Sequence, residues 1–140
     1  MSLNLPLIYA VAKQENKDFY EVLDNRLEVI REFLKKRYDT IRHTKACTNP
    51  MAFMQGGFYK GNLKADDEVG DLVNYMTASF GVTALNELNI LATGKTLYQD
   101  PWFAEGVLKH INDKVEQFKK EDGYLYAIYG TPKQVWARPE

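Results

Sequence analysis

The residue types best suited to metal binding or nucleophilic catalysis are scarce in this sequence. It has two histidines, His43 and His110, and one cysteine, Cys47. A lone cysteine cannot build a multi-cysteine zinc site, and a reactive thiolate needs a base or a helix N-terminus beside it. Lys45 and His43 are near Cys47 in sequence, which does not by itself make them face it. We therefore predict helix-end or surface histidines, an unreactive thiol, and no catalytic or metal-binding residue in this chain.

Three further polar features could bind or activate a ligand. Residues 55–61 contain three glycines and a lysine, but they match neither the P-loop spacing nor a GxGxxG pattern. A backbone nest for an anion and a plain flexible loop both remain open there. The acidic cluster at residues 66–68 predicts a solvated turn or a helix N-terminus. Ser79 and Thr83 have no acid–base partner that the sequence can identify.

The hydrophobic pattern predicts a mostly helical α/β fold. Apolar residues recur at steps of three and four from Phe19 to Ile41, which predicts a long helix with Asp18 as its N-cap. A second helix is predicted over residues 82–91, ending at Gly94. A third is predicted to open at Asp100 as N-cap, with Pro101 in the first helical position, and to end at Gly123.

Short apolar or aromatic runs predict three strands, over residues 5–11, 75–81 and 124–129. Residues 44–71 have no clear period and predict irregular structure. Strands separated by helices indicate parallel pairing through crossover connections. Three strands are few for a parallel sheet, which usually has neighbours on both edges, so we expect an incomplete domain.

Composition excludes several functional classes. The 18 basic and 19 acidic residues give a net charge of −1, which is unlike a nucleic-acid-binding surface or a polybasic membrane anchor. No apolar run is long enough to span a membrane, and the first residues lack the pattern of a signal peptide. The single cysteine is typical of a cytoplasmic protein.

Three segments in register resemble the class III anaerobic ribonucleoside-triphosphate reductases, which are glycyl-radical enzymes. Residues 4–6 (Asn-Leu-Pro) resemble the Asn-Leu-Pro strand of that family. Residues 78–81 (Ala-Ser-Phe-Gly) with residues 84–87 (Ala-Leu-Asn-Glu) are similar to its strand turn and following helix. Residues 129–132 (Tyr-Gly-Thr-Pro) resemble a third family segment. The resemblance covers residues 1–132, and the tail at residues 133–140 diverges from it.

The resemblance implies that these strands and helices are part of a ten-stranded α/β barrel. Enzymes of the family reduce ribonucleoside triphosphates with a radical that passes from a glycine to a cysteine. They use a zinc site, regulatory nucleotides and a radical-activating iron–sulfur enzyme. None of the family's working cysteines, its radical glycine or its zinc ligands matches a residue here. We therefore expect a barrel fragment that is inactive alone, has no cofactor of its own, and associates with the remainder of the reductase chain or with itself.

The resemblance implies a substrate-binding role for one residue of this sequence. The family's Asn-Leu-Pro asparagine helps to hold the substrate, and it corresponds to Asn4. An amide can both donate to and accept from a ribose hydroxyl. Two alternatives to the fragment remain open at this point. One is a stand-alone interaction module or nucleotide-binding regulatory module that reuses part of the fold, and the other is a small helical protein with chance similarity.

Overall fold

The computed structural model describes residues 1–54 and 62–130. Three parallel strands form one sheet in the order β1-β2-β3, with β1 at Ser2–Asn4, β2 at Thr77–Thr83 and β3 at Leu125–Gly130. The helices are α1 (Leu5–Glu15), α2 (Phe19–Arg42), α3 (Pro50–Phe53), α4 (Leu85–Thr93) and α5 (Trp102–Asp122). The prediction of parallel strands alternating with helices is confirmed.

The strand predicted over residues 5–11 is wrong, because these residues form the first turns of α1. Asn4 caps this helix, with its side chain accepting from the backbone N–H of Leu7, and Pro6 lies in the first turn, where a missing N–H does no harm. Leu5, Ile8 and Ala12 bury one helical face. The strand consists only of the three residues before it.

The long helix and its cap were predicted correctly. α2 has Asp18 at its N-cap, where the carboxylate accepts from the N–H groups of Tyr20 and Glu21. Its buried side chains follow the three-and-four spacing of the sequence pattern: Phe19, Val22, Leu23, Leu27, Ile30, Leu34 and Tyr38.

The other elements lie close to their predicted positions, with shifted boundaries. β2 begins and ends two residues later than predicted, and α4 begins at Leu85 rather than at residue 82. Gly94 and Gly123 are the C-caps of α4 and α5, in the left-handed conformation that favours glycine. Asp100 is not the N-cap of α5. That position belongs to Pro101, and the Asp100 carboxylate accepts from Lys95 instead.

In the described residues between α2 and β2 the elements are short. They are a 3-10 helix at Ala46–Thr48, then α3, and a 3-10 helix at Gly70–Tyr75. The acidic cluster lies in an exposed turn, as predicted, and Asp66 pairs with Lys45 at 2.9 Å. The glycine-rich residues 55–61 lie outside the described residues, as do residues 131–132 and the divergent tail.

Arg31 joins three elements on one side of the core. Its guanidinium donates to both carboxylate oxygens of Asp122, at 2.8 and 2.7 Å, and to Glu121 at 2.7 Å. The same guanidinium lies 4.5 Å from the ring centre of Phe118. Tyr126 of β3 donates to Asp122 at 2.9 Å. α2, α5 and the start of β3 are therefore fixed to one another.

One face of the sheet carries the core. Leu3, Phe80, Val82 and Tyr126 point from the strands into a single hydrophobic cluster with the buried faces of α1, α2, α4 and α5. Strand side chains alternate between faces, so the intervening residues lie on the opposite side. No helix in the described part of the chain is long and apolar enough to cross a membrane. Three strands do not by themselves form a ten-stranded barrel, which stays an expectation.

Candidate functional site

The carboxyl ends of the three strands meet at one edge of the sheet. Asn4 ends β1, Thr83 ends β2 and Gly130 ends β3. Asn4 and Thr83 are partners in the ladder, and Val82 is the partner of Gly130. In open α/β sheets, ligands commonly bind at this edge. Asn4, the residue that the sequence singles out, therefore lies where the fold class most often places a binding site.

In the Asn4 side-chain amide, the oxygen accepts a hydrogen bond from the protein, whereas the nitrogen is able to donate to a ligand. Oδ1 accepts from the Leu7 N–H at 3.2 Å, which fixes oxygen rather than nitrogen toward the helix. The residue is exposed, and no described residue accepts a hydrogen bond from Nδ2. The N-cap bond therefore orients the amide and leaves Nδ2 to donate to a ligand.

Thr83 lies beside Asn4 and supplies the complementary group. Its Oγ1 donates to the Leu3 carbonyl oxygen at 2.9 Å, which ties β2 to β1. With its proton used in this way, the hydroxyl oxygen still has lone pairs that can accept. Neighbouring strands are about 4.8 Å apart. Asn4 and Thr83 therefore offer a donor and an acceptor side by side, a pair that can bind a single hydroxyl group.

The next residue, Ala84, has a strained backbone. Its φ is 59° and its ψ is 41°, which is the left-handed conformation that a residue with a Cβ rarely adopts. This conformation costs roughly 1–2 kcal/mol for such a residue. It turns the chain sharply from β2 into α4 at the edge that carries Asn4 and Thr83. Strain of this kind is concentrated at functional sites in proteins.

The face of the sheet opposite the core is uncovered by any described element, and we call it the open face. Its side chains are uncharged and mostly small: Ser2, Asn4, Thr77, Ser79, Gly81, Thr83, Leu125, Ala127 and Tyr129. Such a surface offers hydroxyl and amide groups but no carboxylate, imidazole or cation among its described residues. It suits contact with a neutral, hydroxyl-bearing part of a ligand.

Gly81 allows a close approach in the middle of the open face. It is the ladder partner of Ser2 on one side and of Tyr129 on the other. A Cβ at this position would clash with the Ser2 hydroxyl, would come within 2.8 Å of the Met1 carbonyl oxygen and would come within 2.9 Å of the Tyr129 ring. The Tyr129 hydroxyl lies 3.5 Å from that of Ser2. The ring therefore lies across the glycine.

Both histidines lie away from this edge. His110 of α5 contacts Asp24 of α2 at 2.6 Å, and Lys114 lies 3.5 Å from the same carboxylate. His43 caps the end of α2 and contacts Glu68 at 3.3 Å. His43 lies at a helix end, as predicted, whereas His110 lies in the middle of α5 and is a half-buried contact with α2.

No metal site can be built from the described residues. Within residues 1–54 and 62–130, no group of three or more His, Cys, Asp and Glu side chains could hold an ion. Cys47 is exposed in a 3-10 helix. His43 and Cys47 are four residues apart, but α2 ends at Arg42, so the two do not share a helical face. These residues do not fit the zinc site that the resemblance implies, and no metal-dependent step follows from them.

Sequence reasoning located part of this site. Asn4 was identified only through the resemblance, while Thr83 was noted as a hydroxyl without a partner. Ala84 was missed, because nothing in its residue type signals a positive φ. The open face is visible as a pattern in the sequence. In residues 77–83, small polar residues and glycine alternate with Ala78, Phe80 and Val82, which indicates one polar and one apolar face of the strand.

The comparisons with known proteins agree with the resemblance. Residues 1–136 match the sequence profile of the family described as anaerobic ribonucleoside-triphosphate reductase. The chain belongs to this family. It is 34% identical to the reductase of Salmonella typhimurium and 32% identical to that of Haemophilus influenzae, over 96% of this chain in each case. The enzyme of enterobacteria phage T4 is 26% identical over the same share.

The chain corresponds to only a segment of those enzymes. It spans 20% of the length of the two bacterial reductases and 22% of that of the phage enzyme. The prediction of a reductase fragment is confirmed by this coverage. The remainder of a reductase chain is therefore the natural partner of these strands and helices.

Proposed function

We propose that this chain forms one wall of the substrate site in an anaerobic ribonucleoside-triphosphate reductase and has no activity alone. The observation that carries the proposal is the pairing of Asn4 with Thr83 at the carboxyl edge of an uncovered sheet. Family membership supplies the reaction class, which is the reduction of a ribonucleoside triphosphate to the deoxy form. The wall is proposed to be part of the family's ten-stranded barrel.

The polar groups at this edge match a ribose better than a triphosphate. A sugar hydroxyl can accept from Asn4 Nδ2 and donate to Thr83 Oγ1, which satisfies both of its hydrogen-bonding roles. The open face has no cation among its described residues, and a triphosphate would require several. Asn4 and Thr83 therefore hold and orient the sugar, and phosphate contacts come from other parts of the reductase.

The chemical step belongs to groups outside the described residues. The radical that starts the reaction and the two electrons that reduce the substrate would both come from groups outside the described residues. The family's radical-activating iron–sulfur enzyme, zinc and regulatory nucleotides would likewise act on other parts of the reductase. The role proposed for this segment is positioning: the cap bond fixes the Asn4 amide, and the strained turn at Ala84 fixes the edge beside it. Pre-oriented groups of this kind lower the entropic barrier to reaction.

The test is a substitution that removes the amide but keeps the helix cap. In the full-length reductase that contains this segment, Asn4→Ser retains an N-cap oxygen, whereas Asn4→Ala loses the cap and the amide together. Loss of one ligand hydrogen bond predicts a fall in kcat/KM of about tenfold for Asn4→Ser. Thr83→Val removes the acceptor and predicts a similar fall. Glycyl-radical content, measured by electron paramagnetic resonance, should stay unchanged.

A matched control uses the same substitution at another helix cap. Asn49 caps α3 through its side chain, which accepts from the Ala52 N–H at 3.3 Å. Asn49→Ser should leave kcat/KM unchanged. If Asn4→Ser behaves like Asn49→Ser, Asn4 is only a cap and the substrate role is wrong. Micromolar binding of ATP or another ribonucleotide to the 140-residue chain by calorimetry would instead favour a stand-alone nucleotide-binding module.

A further inference from the structure

Pro6 lies two residues after Asn4, at the position that decides which backbone groups the Asn4 side chain can bond. The N-cap oxygen of a helix accepts from the backbone N–H of the second or the third helical residue. In α1 the second residue is Pro6, which has no N–H, and the third is Leu7. Of these two positions, Leu7 alone can donate, and Oδ1 of Asn4 accepts from it at 3.2 Å.

The N-cap of α2 shows the arrangement that forms when both donors are present. Asp18 is this cap, and the second and third helical residues are Tyr20 and Glu21. One carboxylate oxygen, Oδ2, accepts from both N–H groups, at 2.9 Å from Tyr20 and at 3.2 Å from Glu21. The shorter of the two bonds goes to the second residue. A donor at the second position therefore shares the cap oxygen where the sequence provides one.

The N-cap of α3 shows that a bond to the third residue alone is also accessible. Asn49 accepts from Ala52 at 3.3 Å, although the second residue, Met51, carries an N–H. A cap side chain can therefore adopt either arrangement, and proline removes one of them at Asn4. Pro50 lies at the first position of α3, where its missing N–H affects neither of the two cap donors.

The backbone around the Asn4 side chain is held by buried neighbours. Leu5 and Ile8 of the first turns of α1 are buried, with 0% and 5% of their surface exposed. Leu3, on the other side of Asn4, is buried as well, with 3% exposed. Side chains packed in a core fix the backbone that carries them. The choice of cap partner is therefore the main freedom that the Asn4 amide would have.

We propose that Pro6 is a positioning residue for the substrate site. Because it has no N–H, it keeps the Asn4 oxygen on Leu7 and so keeps Nδ2 in a single direction at the carboxyl edge. Oδ1 and Nδ2 belong to one planar amide, so an oxygen drawn toward residue 6 turns the nitrogen with it. A second orientation lowers the fraction of molecules ready to bind, and the apparent Kd rises in inverse proportion to that fraction. This inference rests on the role proposed for Asn4.

The experiment is a double-mutant cycle in the full-length reductase that contains this segment, assayed with a ribonucleoside triphosphate at equal glycyl-radical content. Pro6→Ala restores the N–H, and two equally populated amide orientations would raise KM about twofold with kcat unchanged. In the Asn4→Ser background there is no amide to orient, so Pro6→Ala should leave KM unchanged there. Pro50→Ala is the matched control, because it removes a proline beside another asparagine cap, and it should also leave KM unchanged.

A second variant separates the missing N–H from the rigidity of the proline ring. Lactic acid at position 6, introduced by nonsense suppression, has neither a ring nor an N–H, and it should keep the KM of the unsubstituted enzyme. If it instead raises KM as Pro6→Ala does, the ring acts and the proposal is wrong.

The other outcomes of the cycle are equally decisive. An equal rise in KM from Pro6→Ala in both backgrounds would show a general effect on the fold and overturn the proposal. A loss of kcat/KM from Asn4→Ser without any rise in KM from Pro6→Ala would overturn the role of Pro6 and leave that of Asn4 standing. No loss from Asn4→Ser would overturn both roles.

Discussion

Gly81 joins the three strands because its missing side chain makes room for two neighbours. Tyr129 reaches across it toward Ser2, and the Met1 carbonyl oxygen accepts from its N–H. Gly81→Ala would force a Cβ against this backbone oxygen and the Tyr129 ring. We expect a loss of about 1–3 kcal/mol in the free energy of unfolding from this overpacking. Urea denaturation would measure it.

A second glycine provides the matched control. Gly106 lies within α5, and a Cβ there would approach only the Tyr20 hydroxyl, at 4.0 Å. Glycine inside a helix is less favourable than alanine by about 0.5–1 kcal/mol. Gly106→Ala should therefore stabilise the protein. Equal effects of the two substitutions would mean that the close approach at Gly81 has no energetic role.

Asn89 is the buried polar residue of α4, and it holds the connection to α5. Its Nδ2 donates to the carbonyl oxygens of Lys95 and Asp100, both at 2.8 Å. Asn89→Asp has nearly the same shape but presents an acceptor to both carbonyl oxygens, and it buries a charge unless it is protonated. We expect it to destabilise the protein by about 3 kcal/mol or more. Thermal unfolding at pH 7 would test this.

The comparison for Asn89 is Thr93, whose hydroxyl donates to the Asn89 carbonyl oxygen at 2.8 Å from an exposed position. Thr93→Val should cost at most about 1 kcal/mol. If Asn89→Asp were no worse than Thr93→Val, the two carbonyl oxygens would have another source of hydrogen bonds. Asn89 Oδ1 itself has no hydrogen-bond partner among the described residues.

The role of a single residue was predictable from the sequence wherever its residue type strongly favours one local backbone position, such as a helix cap. Asp18, Gly94 and Gly123 were recognised as helix caps because their side chains, or the absence of one, satisfy helix ends locally. Asn4 is also a cap, but a predicted strand over the following residues concealed it. Ala84 gave no signal, because its positive φ is imposed by the turn between β2 and α4 rather than by its own preference.

At the scale of elements, the main error was to read α1 as a strand. Residues 5–11 are a short apolar run, and such a run does not by its own period distinguish a strand from a buried helix. The decisive features were Asn4 and Pro6, an N-cap and a first-turn proline in the right order. α2 and α5 were predicted because their three-and-four spacing continues from Phe19 to Ile41 and from Phe103 to Phe118, which is too long for a strand.

The contact among α2, α5 and β3 depends on one charge cluster, which predicts a pH effect. The hydrogen bond from Arg31, opposed by burial and aided by that from Tyr126, holds the pKa of Asp122 below its ordinary range. A lowered folded-state pKa means that this carboxylate stabilises the fold fully above its unfolded pKa of about 4. The contribution is lost as the pH falls through the folded value.

Asp122→Asn should therefore lower the free energy of unfolding by about 2 kcal/mol at pH 7, since it removes charged hydrogen bonds from a mostly buried side chain. The difference from the unsubstituted protein should shrink as the pH falls from about 4, where the unfolded state takes up a proton, and should be smallest below the lowered folded-state pKa, where Asp122 is protonated in both states. Urea denaturation across pH would show this convergence. A constant difference down to pH 2 would contradict the assigned ionisation.

The exposed pair on α5 is the control for that cluster. Glu116 accepts from Lys119 at 3.4 Å, with both side chains more than 40% exposed. Glu116→Gln should change stability by less than about 0.5 kcal/mol at any pH, because exposed pairs are screened by water. A larger effect would mean that surface charge in general, and not the Arg31 cluster, sets the pH dependence.

At the scale of the whole molecule, the described residues cover one face of the sheet and leave the other open. The parallel strands and the helices between them could be predicted from the sequence, as could the shortage of strands. The sequence could not show that α1, α2, α4 and α5 all contribute to a core on a single face, because this depends on tertiary packing. Parallel sheets are normally covered on both faces. The open face is therefore a surface that further protein must cover.

This one-sided sheet predicts that the chain associates with itself when the rest of a reductase is absent. Leu125 and Tyr129 of β3 expose more than 40% of their side chains on the open face, and β3 is an edge strand. Exposed edges and apolar faces recruit partners. Sedimentation velocity should show a dimer or larger species that grows with concentration. Leu125→Lys, which places a charge on the open face, should shift the chain toward monomer, whereas Leu91→Lys on α4 should not. A monomer without detectable larger species at high concentration would mean that the open face and the β3 edge do not drive self-association.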